Sequence, residues 1–392
     1  MAAIAINLQE ITAAGFAAMQ RGDLQGARRL FDEAVAAGIA DAAVWFGLAR
    51  VYRTLGPLAE ERAALDRALQ MDAYYMPALL ARGDLFASAG DRRAANAYYV
   101  AGLKIAAKLP SLSQEWRAEL RRVEALSQEY AREYEAHLHS ALAASGFDPS
   151  AGGRFAHAMD LLLGKRQIYP QQPKFFYYPE LAQIQFFDRG TFPWVQGLEG
   201  ELAAIRAEAQ AILAANGAFV PYVQREADRP AFNERGLLDN PDWGAFFLVK
   251  DGVTVESNAA RCPRTFAAVS QVPLCRIDHR TPSVLFSLLR PGARIPPHHG
   301  FTNARLIAHL PLIVPPGCAL RVGNETRCWH EGEILLFDDS IEHEAWNPSA
   351  EPRVVLIFDV WRPELAEEER RLIAATLAAV DSFGGMRRPW TE

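Results

Sequence analysis

Two histidine-bearing segments in the C-terminal half of the sequence have residue types that suit a metal site. His298 lies in PPHHGFTN, residues 296–303, where an extended backbone would place His298 and Gly300 on the same face. His343 lies in the segment DDSIEHEAW, which follows an apolar run, and Arg353 opens the next apolar run. Two histidines followed by an arginine suggest a metal ion that works with an anionic co-ligand.

Non-haem Fe(II) enzymes that use 2-oxoglutarate need a His-x-Asp/Glu pair, a distant histidine and an arginine shortly after it. Two imidazoles and a carboxylate hold one face of the iron and leave positions open for the cosubstrate and O2. The arginine pairs with the far carboxylate of 2-oxoglutarate, ideally through two hydrogen bonds. In this sequence Gly300 occupies the carboxylate position. The spacing alone therefore leaves three alternatives open: ordinary polar residues, zinc, and a cupin-like metal site.

Short β-strands are predicted around these residues. Apolar runs bounded by Gly, Pro and Asn lie at 285–291, 305–315, 318–322, 326–329, 333–339 and 353–361. The residues GNE at 323–325 predict a hairpin turn. Closely spaced short strands favour a sandwich or a double-stranded β-helix of the jelly-roll or cupin-like type over a parallel α/β fold. Flanking helices are expected near 193–214 and 363–380.

The first third of the sequence repeats with a period of 34 residues. GDLQGARRLFDEAV begins at Gly22, GPLAEERAALDRAL at Gly56 and GDRRAANAYYVAGL at Gly90. Small and large apolar positions keep the same phase, at Gly15, Ala49 and Gly83 and at Phe31, Leu65 and Tyr99. The pattern resembles tetratricopeptide repeats, helix–turn–helix units that stack into a solenoid. We expect this solenoid to bind a peptide or protein; a spacer or a self-association module is the alternative.

The predicted organisation has two domains joined by a helical segment. An all-α tetratricopeptide-like solenoid covers 1–110, and a helical linker or cap with one apolar stripe covers 111–165. The β-rich domain covers 166–392, and its start is marked by the proline- and aromatic-rich stretch YPQQPKFFYYPEL.

Composition excludes several functional classes. The 392-residue chain carries a formal charge of −6, so it has no general attraction for nucleic acid. No apolar run is long enough for a membrane anchor, and the N-terminus lacks the apolar core of a signal peptide. Four cysteines without a CxxC pair disfavour structural zinc and a disulfide framework. The expected location is cytoplasmic.

Longer motifs carry a family resemblance. They are HxGxTNxRLxxHL (298–310), GCxLRVxNETRxW (317–329), EGExLxFDDSxEHExWN (331–347) and RVVLIFDVWRPEL (353–365), preceded by QFFDRGTFPWVQGLE (185–199) and SLLRPGARIPPH (287–298). From residue 175 to residue 366 the sequence resembles the catalytic domain of the aspartyl/asparaginyl β-hydroxylases. That family holds iron with two histidines and has glycine at the carboxylate position, so Gly300 belongs to the resemblance.

The resemblance implies a role for each matching residue around the metal. His298 and His343 would bind Fe(II). Arg353 and Ser287 would hold the far carboxylate of 2-oxoglutarate, and His309 would contact its other end. O2 would be the second cosubstrate.

The resemblance also implies a substrate side, with one departure from the family pattern. Asn303 and Arg305 would line that side. The family often has an arginine where this chain has Ile307, so either one cosubstrate anchor is lost or a cation such as Arg290 or Arg294 replaces it.

The implied reaction is hydroxylation of an unactivated carbon. The expected substrate is an Asp- or Asn-type residue in a peptide, protein or amino acid, which the repeats would recruit. The alternative, which only Ile307 favours, is a non-catalytic repeat adaptor whose β domain is a metal-binding cupin-like module.

Overall fold

The chain folds into two compact units, which divide between Lys165 and Arg166. The computed structural model describes residues 7–148, 150, 152–215, 217–225 and 236–383. We call residues up to Lys165 the helical unit and residues from Arg166 the sheet unit. Among the described residues, no helix is both long enough and apolar enough to cross a membrane.

The helical unit begins with three consecutive helix pairs. Their bounds are α1 Leu8–Gln20, α2 Leu24–Ala36, α3 Ala42–Leu55, α4 Leu58–Met71, α5 Met76–Ser88 and α6 Arg92–Ala106. The first helices of the pairs start at residues 8, 42 and 76 and the second helices at 24, 58 and 92, so both series keep the 34-residue period of the sequence. The long helix α7, Gln114–Ala143, packs on α6, and α8 covers Gly153–Leu162.

The Gly-Asp pair that opens two repeats forms the turn between paired helices. Gly22 and Gly90 have φ angles of 80° and 79°, a left-handed conformation that suits glycine. Asp23 and Asp91 then cap the following helices, because each carboxylate accepts a hydrogen bond from the amide three residues on. Pro57 takes the capping position in the middle repeat, where no side-chain cap forms.

Glycines in the first helix of the first and third pairs allow large rings of the second helix to approach closely. A Cβ atom added at Gly83 would lie 2.4 Å from the ring of Tyr99, and one at Gly15 would lie 2.4 Å from Phe31. Both rings are fully buried. The predicted pairing of small and large positions is therefore confirmed at these two sites.

We expect Gly83→Ala to lower the free energy of unfolding of the helical unit by about 1–3 kcal/mol. The new methyl group must displace the ring of Tyr99, whose hydroxyl is held by a hydrogen bond of 2.7 Å to Asp84. Thermal unfolding followed by circular dichroism measures the change. Gly197→Ala is the control, because a Cβ atom at that helical position meets nothing within 4 Å. Equal unfolding transitions for the two variants would contradict the close approach.

The sheet unit contains twelve short or medium strands among its described residues. They are β1 Phe186–Phe187, β2 Val220–Pro221, β3 Trp243–Lys250, β4 Val253–Thr254, β5 Val284–Leu289, β6 Arg294–His298, β7 Arg305–Ile313, β8 Ala319–Val322, β9 Glu325–Cys328, β10 Leu335–Phe337, β11 His343–Trp346 and β12 Arg353–Trp361. Its helices are α9 Val195–Gly200, α10 Leu202–Ala214, α11 Glu256–Ala259, α12 Pro263–Val269 and α13 Glu367–Ser382.

The strands form two antiparallel sheets. The larger has the order β1-β10-β7-β12-β5-β3-β2, with β4 beside β3, and the smaller has the order β6-β11-β8-β9. One face of the larger sheet carries the main apolar core, which α10 and α12 cover. The predicted strand at 353–361 coincides with β12, and the predicted turn at 323–325 is confirmed by the pairing of Val322 with Glu325.

The opposite face of the larger sheet carries polar side chains in register. Val355 of β12 pairs with Ser287 of β5, and Ile357 of β12 pairs with His309 of β7. Because alternate residues of a strand share a face, Arg353 lies on the same face as Val355. The fold thus brings Ser287, His309 and Arg353 to one surface.

Candidate metal and cosubstrate site

His298 and His343 lie directly opposite each other on the paired strands β6 and β11. Their ring centroids are 4.0 Å apart. Each Nδ1 lies within hydrogen-bond distance of the backbone carbonyl two residues earlier, Pro296 at 2.8 Å and Ile341 at 3.1 Å. A carbonyl only accepts, so both Nδ1 atoms donate and both Nε2 atoms carry the lone pair that a metal needs.

Burial keeps His343 in the form that binds metal. The ring is almost entirely shielded from solvent, and this burial lowers the pKa of His343 to about 3. A neutral imidazole is the ligand form of histidine, so no proton has to leave this ring before a metal binds at neutral pH.

The two histidines share one cavity with the predicted cosubstrate residues. The described residues that line it are Tyr222, Trp243, Ser287, Ile295, His298, Ile307, His309, Leu320, Phe337, Asp339, His343, Ala345, Arg353 and Ile357. Five of the seven predicted site residues therefore meet around a single space.

Arg353 is a buried cation without an anionic partner among the described residues. The residue is 1% exposed, and its Nε and Nη1 atoms make no hydrogen bond there. Its guanidinium carbon lies 4.8 Å from the centroid of the Trp329 ring, and burial lowers the pKa of Arg353 to about 10. An uncompensated buried charge is strongly unfavourable, so this side chain fits a site for an anion such as a carboxylate.

Ser287 and His309 add neutral polar groups to the same cavity. Trp243 donates its Nε1 hydrogen to Ser287 Oγ over 3.1 Å, so the serine keeps its own proton for an anion. His309 Nδ1 is buried without a hydrogen-bond partner among the described residues. Burial, reinforced by Arg353, lowers the pKa of His309 to about 3, so the ring is neutral.

Asp339 fills the space beside Gly300. The Gly300 amide donates to the Asp339 carbonyl over 2.7 Å, and a Cβ atom added at Gly300 would lie 1.9 Å from Asp339 Oδ2. That carboxylate also accepts a hydrogen bond of 3.0 Å from Arg305. The described residues contain no group of three or more His, Cys, Asp or Glu side chains that fits a metal ion, so the site offers two histidines.

We expect Gly300→Asp not to restore a third metal ligand. The new side chain would overlap the carboxylate of Asp339 and add a like charge beside it. Fe(II) titration of the variant should give weaker binding than the parent chain. Gly300→Ala is the control, because it brings the same overlap without the charge. Tighter iron binding by Gly300→Asp would contradict the described position of Asp339.

Two predictions about the substrate side need correction. Asn303 does not line the cavity: its side chain is fully buried, exchanges hydrogen bonds with the backbone of Tyr178 and donates to Gln171. It fixes the chain segment that precedes the sheets. Neither Arg290 nor Arg294 replaces the arginine missing at position 307, since both are exposed and lie outside the cavity, with Arg294 paired to Glu344.

Two aromatic residues of the cavity were not among the site residues predicted from the sequence. Trp243 belongs to a buried apolar cluster and also lines the cavity, where it hydrogen-bonds Ser287. Tyr222 stacks on Trp243 with ring centroids 4.0 Å apart and was not considered. A pair of aromatic residues 21 positions apart in sequence gives no local signal of this contact.

Comparisons with known proteins match most of the sheet unit to one family. The family model described as Aspartyl/Asparaginyl beta-hydroxylase matches residues 199–363. The ornithine lipid ester-linked acyl 2-hydroxylase of Rhizobium tropici is 36% identical over 194 residues, which cover 47% of this chain and 63% of that protein. Human aspartyl/asparaginyl beta-hydroxylase is 36% identical over 190 residues, which cover 48% of this chain and 24% of that protein.

A second human protein, aspartate beta-hydroxylase domain-containing protein 2, is 35% identical over 208 residues, covering 52% of this chain and 54% of that protein. The chain thus spans less than two thirds of the length of each of these relatives. Among solved structures, the Yersinia enterocolitica type III secretion translocator chaperone SycD covers 33% of this chain at 16% identity with a TM-score of 0.29.

The matched segment contains the three histidines of the cavity, His298, His309 and His343, together with Arg353. Residues 199–363, within the sheet unit, match the aspartyl/asparaginyl β-hydroxylase family, and the relatives named above are 35–36% identical to the chain.

Proposed function

We propose that the sheet unit is an Fe(II)- and 2-oxoglutarate-dependent hydroxylase of an unactivated carbon. Relatives named as hydroxylases support the reaction type. The observation that carries the proposal is the buried guanidinium of Arg353, which faces the same cavity as two histidines whose Nδ1 atoms are fixed by backbone carbonyls. That cavity offers a cation for a carboxylate and two lone pairs for a metal.

The residues present fit this metal and cosubstrate. His298 and His343 would bind Fe(II), and their carbonyl hydrogen bonds orient both rings. Arg353 and Ser287 would hold the far carboxylate of 2-oxoglutarate, with neutral His309 at its other end. Bound together, iron and 2-oxoglutarate supply the activation of O2 that an unreactive C–H bond requires.

The overall reaction balances without another reductant. One C–H bond of the substrate becomes C–OH, while 2-oxoglutarate and O2 yield succinate and CO2. The protein contributes orientation and a cavity shielded from water, to which the apolar side chains of Phe337 and Leu320 belong.

We propose that the two sheets are the walls of a double-stranded β-helix of the jelly-roll or cupin-like type. The support is their arrangement around one cavity. His298 and His343 lie on the smaller sheet, and Ser287, His309 and Arg353 lie on the larger one.

We further propose that the helical unit binds a peptide segment of a protein partner or substrate. A groove in this unit is lined by side chains of α3, α5 and α7, among them Phe46, Leu80 and Trp116 together with Arg50 and Glu119. Apolar side chains with charges of both signs suit an amphipathic peptide. The relatives leave two acceptor types open for this chain, an Asp- or Asn-type residue and an acyl chain as in the name of the Rhizobium relative.

An anaerobic absorbance titration tests the proposed function without a known substrate. Fe(II) and then 2-oxoglutarate are added to the purified full-length apoprotein. We expect a visible iron-to-2-oxoglutarate charge-transfer band. Bound metal without such a band would reject the hydroxylase and favour the non-catalytic repeat adaptor.

A further inference from the structure

The face of the larger sheet that lines the cavity of His298 and His343 changes from polar to apolar along its strands. At one end lie Arg353, Ser287 and His309, the proposed cosubstrate residues. The next side chains on the same face are apolar, because Leu285 pairs with Ile357 and Phe247 on the neighbouring strands. We call Phe247, Leu285, Ile307 and Ile357 the apolar row; their contacts form a separate cluster on this face of the sheet.

A second cavity opens on the far side of the apolar row. It shares Tyr222, Ile307 and Ile357 with the cavity of the two histidines. Its other described lining residues include three cations, Lys250, Arg280 and Arg305, and two carboxylates, Asp251 and Asp359. Because Ile307 and Ile357 of the apolar row line both cavities, the row lies between the cations of the second cavity and the histidines of the first.

The three cations differ in how they are compensated. Arg305 forms ion pairs with Asp359 and Asp339, and Arg280 forms a buried ion pair with Asp381. Lys250 has no described ion pair: its Nζ donates to the amide oxygen of Gln224 over 3.3 Å and lies 5.3 Å from the centroid of the Phe247 ring. Lys250 is therefore the cation best placed to receive an anionic group from a ligand.

We propose that the substrate is an aliphatic carboxylic acid whose chain lies along the apolar row and whose carboxylate pairs with Lys250. This rests on the proposed hydroxylase function and specifies its substrate. A side-chain carboxyl or carboxamide placed on the apolar row would lose its hydrogen bonds to water without replacement, which is unfavourable. Aliphatic carbon placed there gains from burial instead.

Two kinds of compound combine an aliphatic chain with a carboxylate in this way, fatty acids and aliphatic amino acids. Both present a carboxylate for Lys250 and saturated carbon for the apolar row. In both, one C–H bond becomes C–OH at the expense of 2-oxoglutarate and O2, as in the balanced reaction above.

Calorimetry on the anaerobic full-length chain, loaded with Fe(II) and 2-oxoglutarate, tests the substrate class. The probes are straight-chain carboxylates from butanoate to dodecanoate, with decylamine, N-acetylleucine and N-acetylaspartate amide for comparison. We expect affinity to rise about fourfold per added methylene over the first part of the series. Decylamine and N-acetylaspartate amide should bind at least tenfold more weakly than decanoate.

Two variants separate the carboxylate contact from the apolar contact. Lys250→Met should weaken decanoate binding at least tenfold. Lys104→Met, which replaces an exposed lysine of the helical unit, should leave decanoate binding unchanged. Ile307→Arg should weaken decanoate binding and reduce the gain in affinity per added methylene. N-acetylleucine binding above the decanoate value would assign the amino-acid source, and the reverse would assign the fatty acid.

The outcome for the substrate is distinguishable from the outcome for the proposed function. The charge-transfer band of the loaded protein reports the iron and 2-oxoglutarate site before any substrate is added. With that band present, equal binding of decylamine and decanoate, full binding by Lys250→Met, or a preference for N-acetylaspartate amide would each overturn the aliphatic carboxylate.

Discussion

Replacing His343 with alanine is expected to abolish iron-dependent formation of succinate from 2-oxoglutarate. His343 is one of the two proposed histidine ligands, and the other, His298, lies opposite it on the paired strand. Loss of an outer contact to a metal ligand typically costs 10- to 100-fold in activity, so loss of the ligand itself should cost more than about 100-fold. Succinate release at saturating Fe(II) and 2-oxoglutarate measures the effect.

The control for His343→Ala is His330→Ala. His330 is exposed and lies outside the cavity, so its removal should leave succinate formation unchanged. Thermal unfolding of both variants separates a lost ligand from a lost fold, because His343 is buried. Normal turnover by a folded His343→Ala protein would remove the metal assignment.

The repeats were predictable from sequence because their cause is local. The first and third helix pairs use the same turn, cap and close approach, so Gly22, Asp23 and Gly15 recur in phase as Gly90, Asp91 and Gly83. The strands around the site were also predictable where apolar runs are bounded by turn residues, as for β12 and the hairpin at Gly323. Turns, helix caps and contacts between neighbouring helices depend on residues close in the chain, so they leave a pattern in the sequence.

The strand β3 was missed because it lacks a one-sided pattern. Its residues WGAFFLVK are buried along nearly the whole strand, so polar and apolar residues do not alternate. That strand carries Trp243, which lines the cavity, and Lys250, which lines the second cavity. Periodicity in the sequence therefore could not reveal the contribution of this strand to either cavity.

Asn303 was misplaced for a different reason. Its position within the family motif suggested a role at the substrate, but its partner Tyr178 lies 125 residues earlier in the chain. A buried amide that holds a distant backbone segment has the same sequence signal as a binding residue. Only the contacts of the folded chain separate the two roles.

Replacing Arg353 with methionine is expected to remove 2-oxoglutarate binding while the protein keeps or gains stability. The guanidinium has no anionic partner among the described residues, so an apolar side chain of similar length removes a desolvated charge without leaving another charge unpaired. Loss of a buried charge pair with the bound cosubstrate should weaken binding by about 2–5 kcal/mol, which is at least about 30-fold. The charge-transfer band measures the affinity, and thermal unfolding measures the stability.

Arg362→Met is the matched control, because Arg362 is also fully buried but is ion-paired. It contacts Asp338 at 2.7 Å and Glu364 at 2.8 Å, so its loss leaves the buried carboxylate of Asp338 without its cation. We expect Arg362→Met to destabilise the sheet unit by about 3–5 kcal/mol, the opposite of the effect at Arg353. Equal destabilisation by the two variants would mean that Arg353 serves the fold. Retained 2-oxoglutarate affinity in Arg353→Met would mean that the cosubstrate anchor lies elsewhere. The two variants should differ in stability because Arg362 has anionic partners within the fold, whereas Arg353 has none among the described residues and would receive one from a bound ligand.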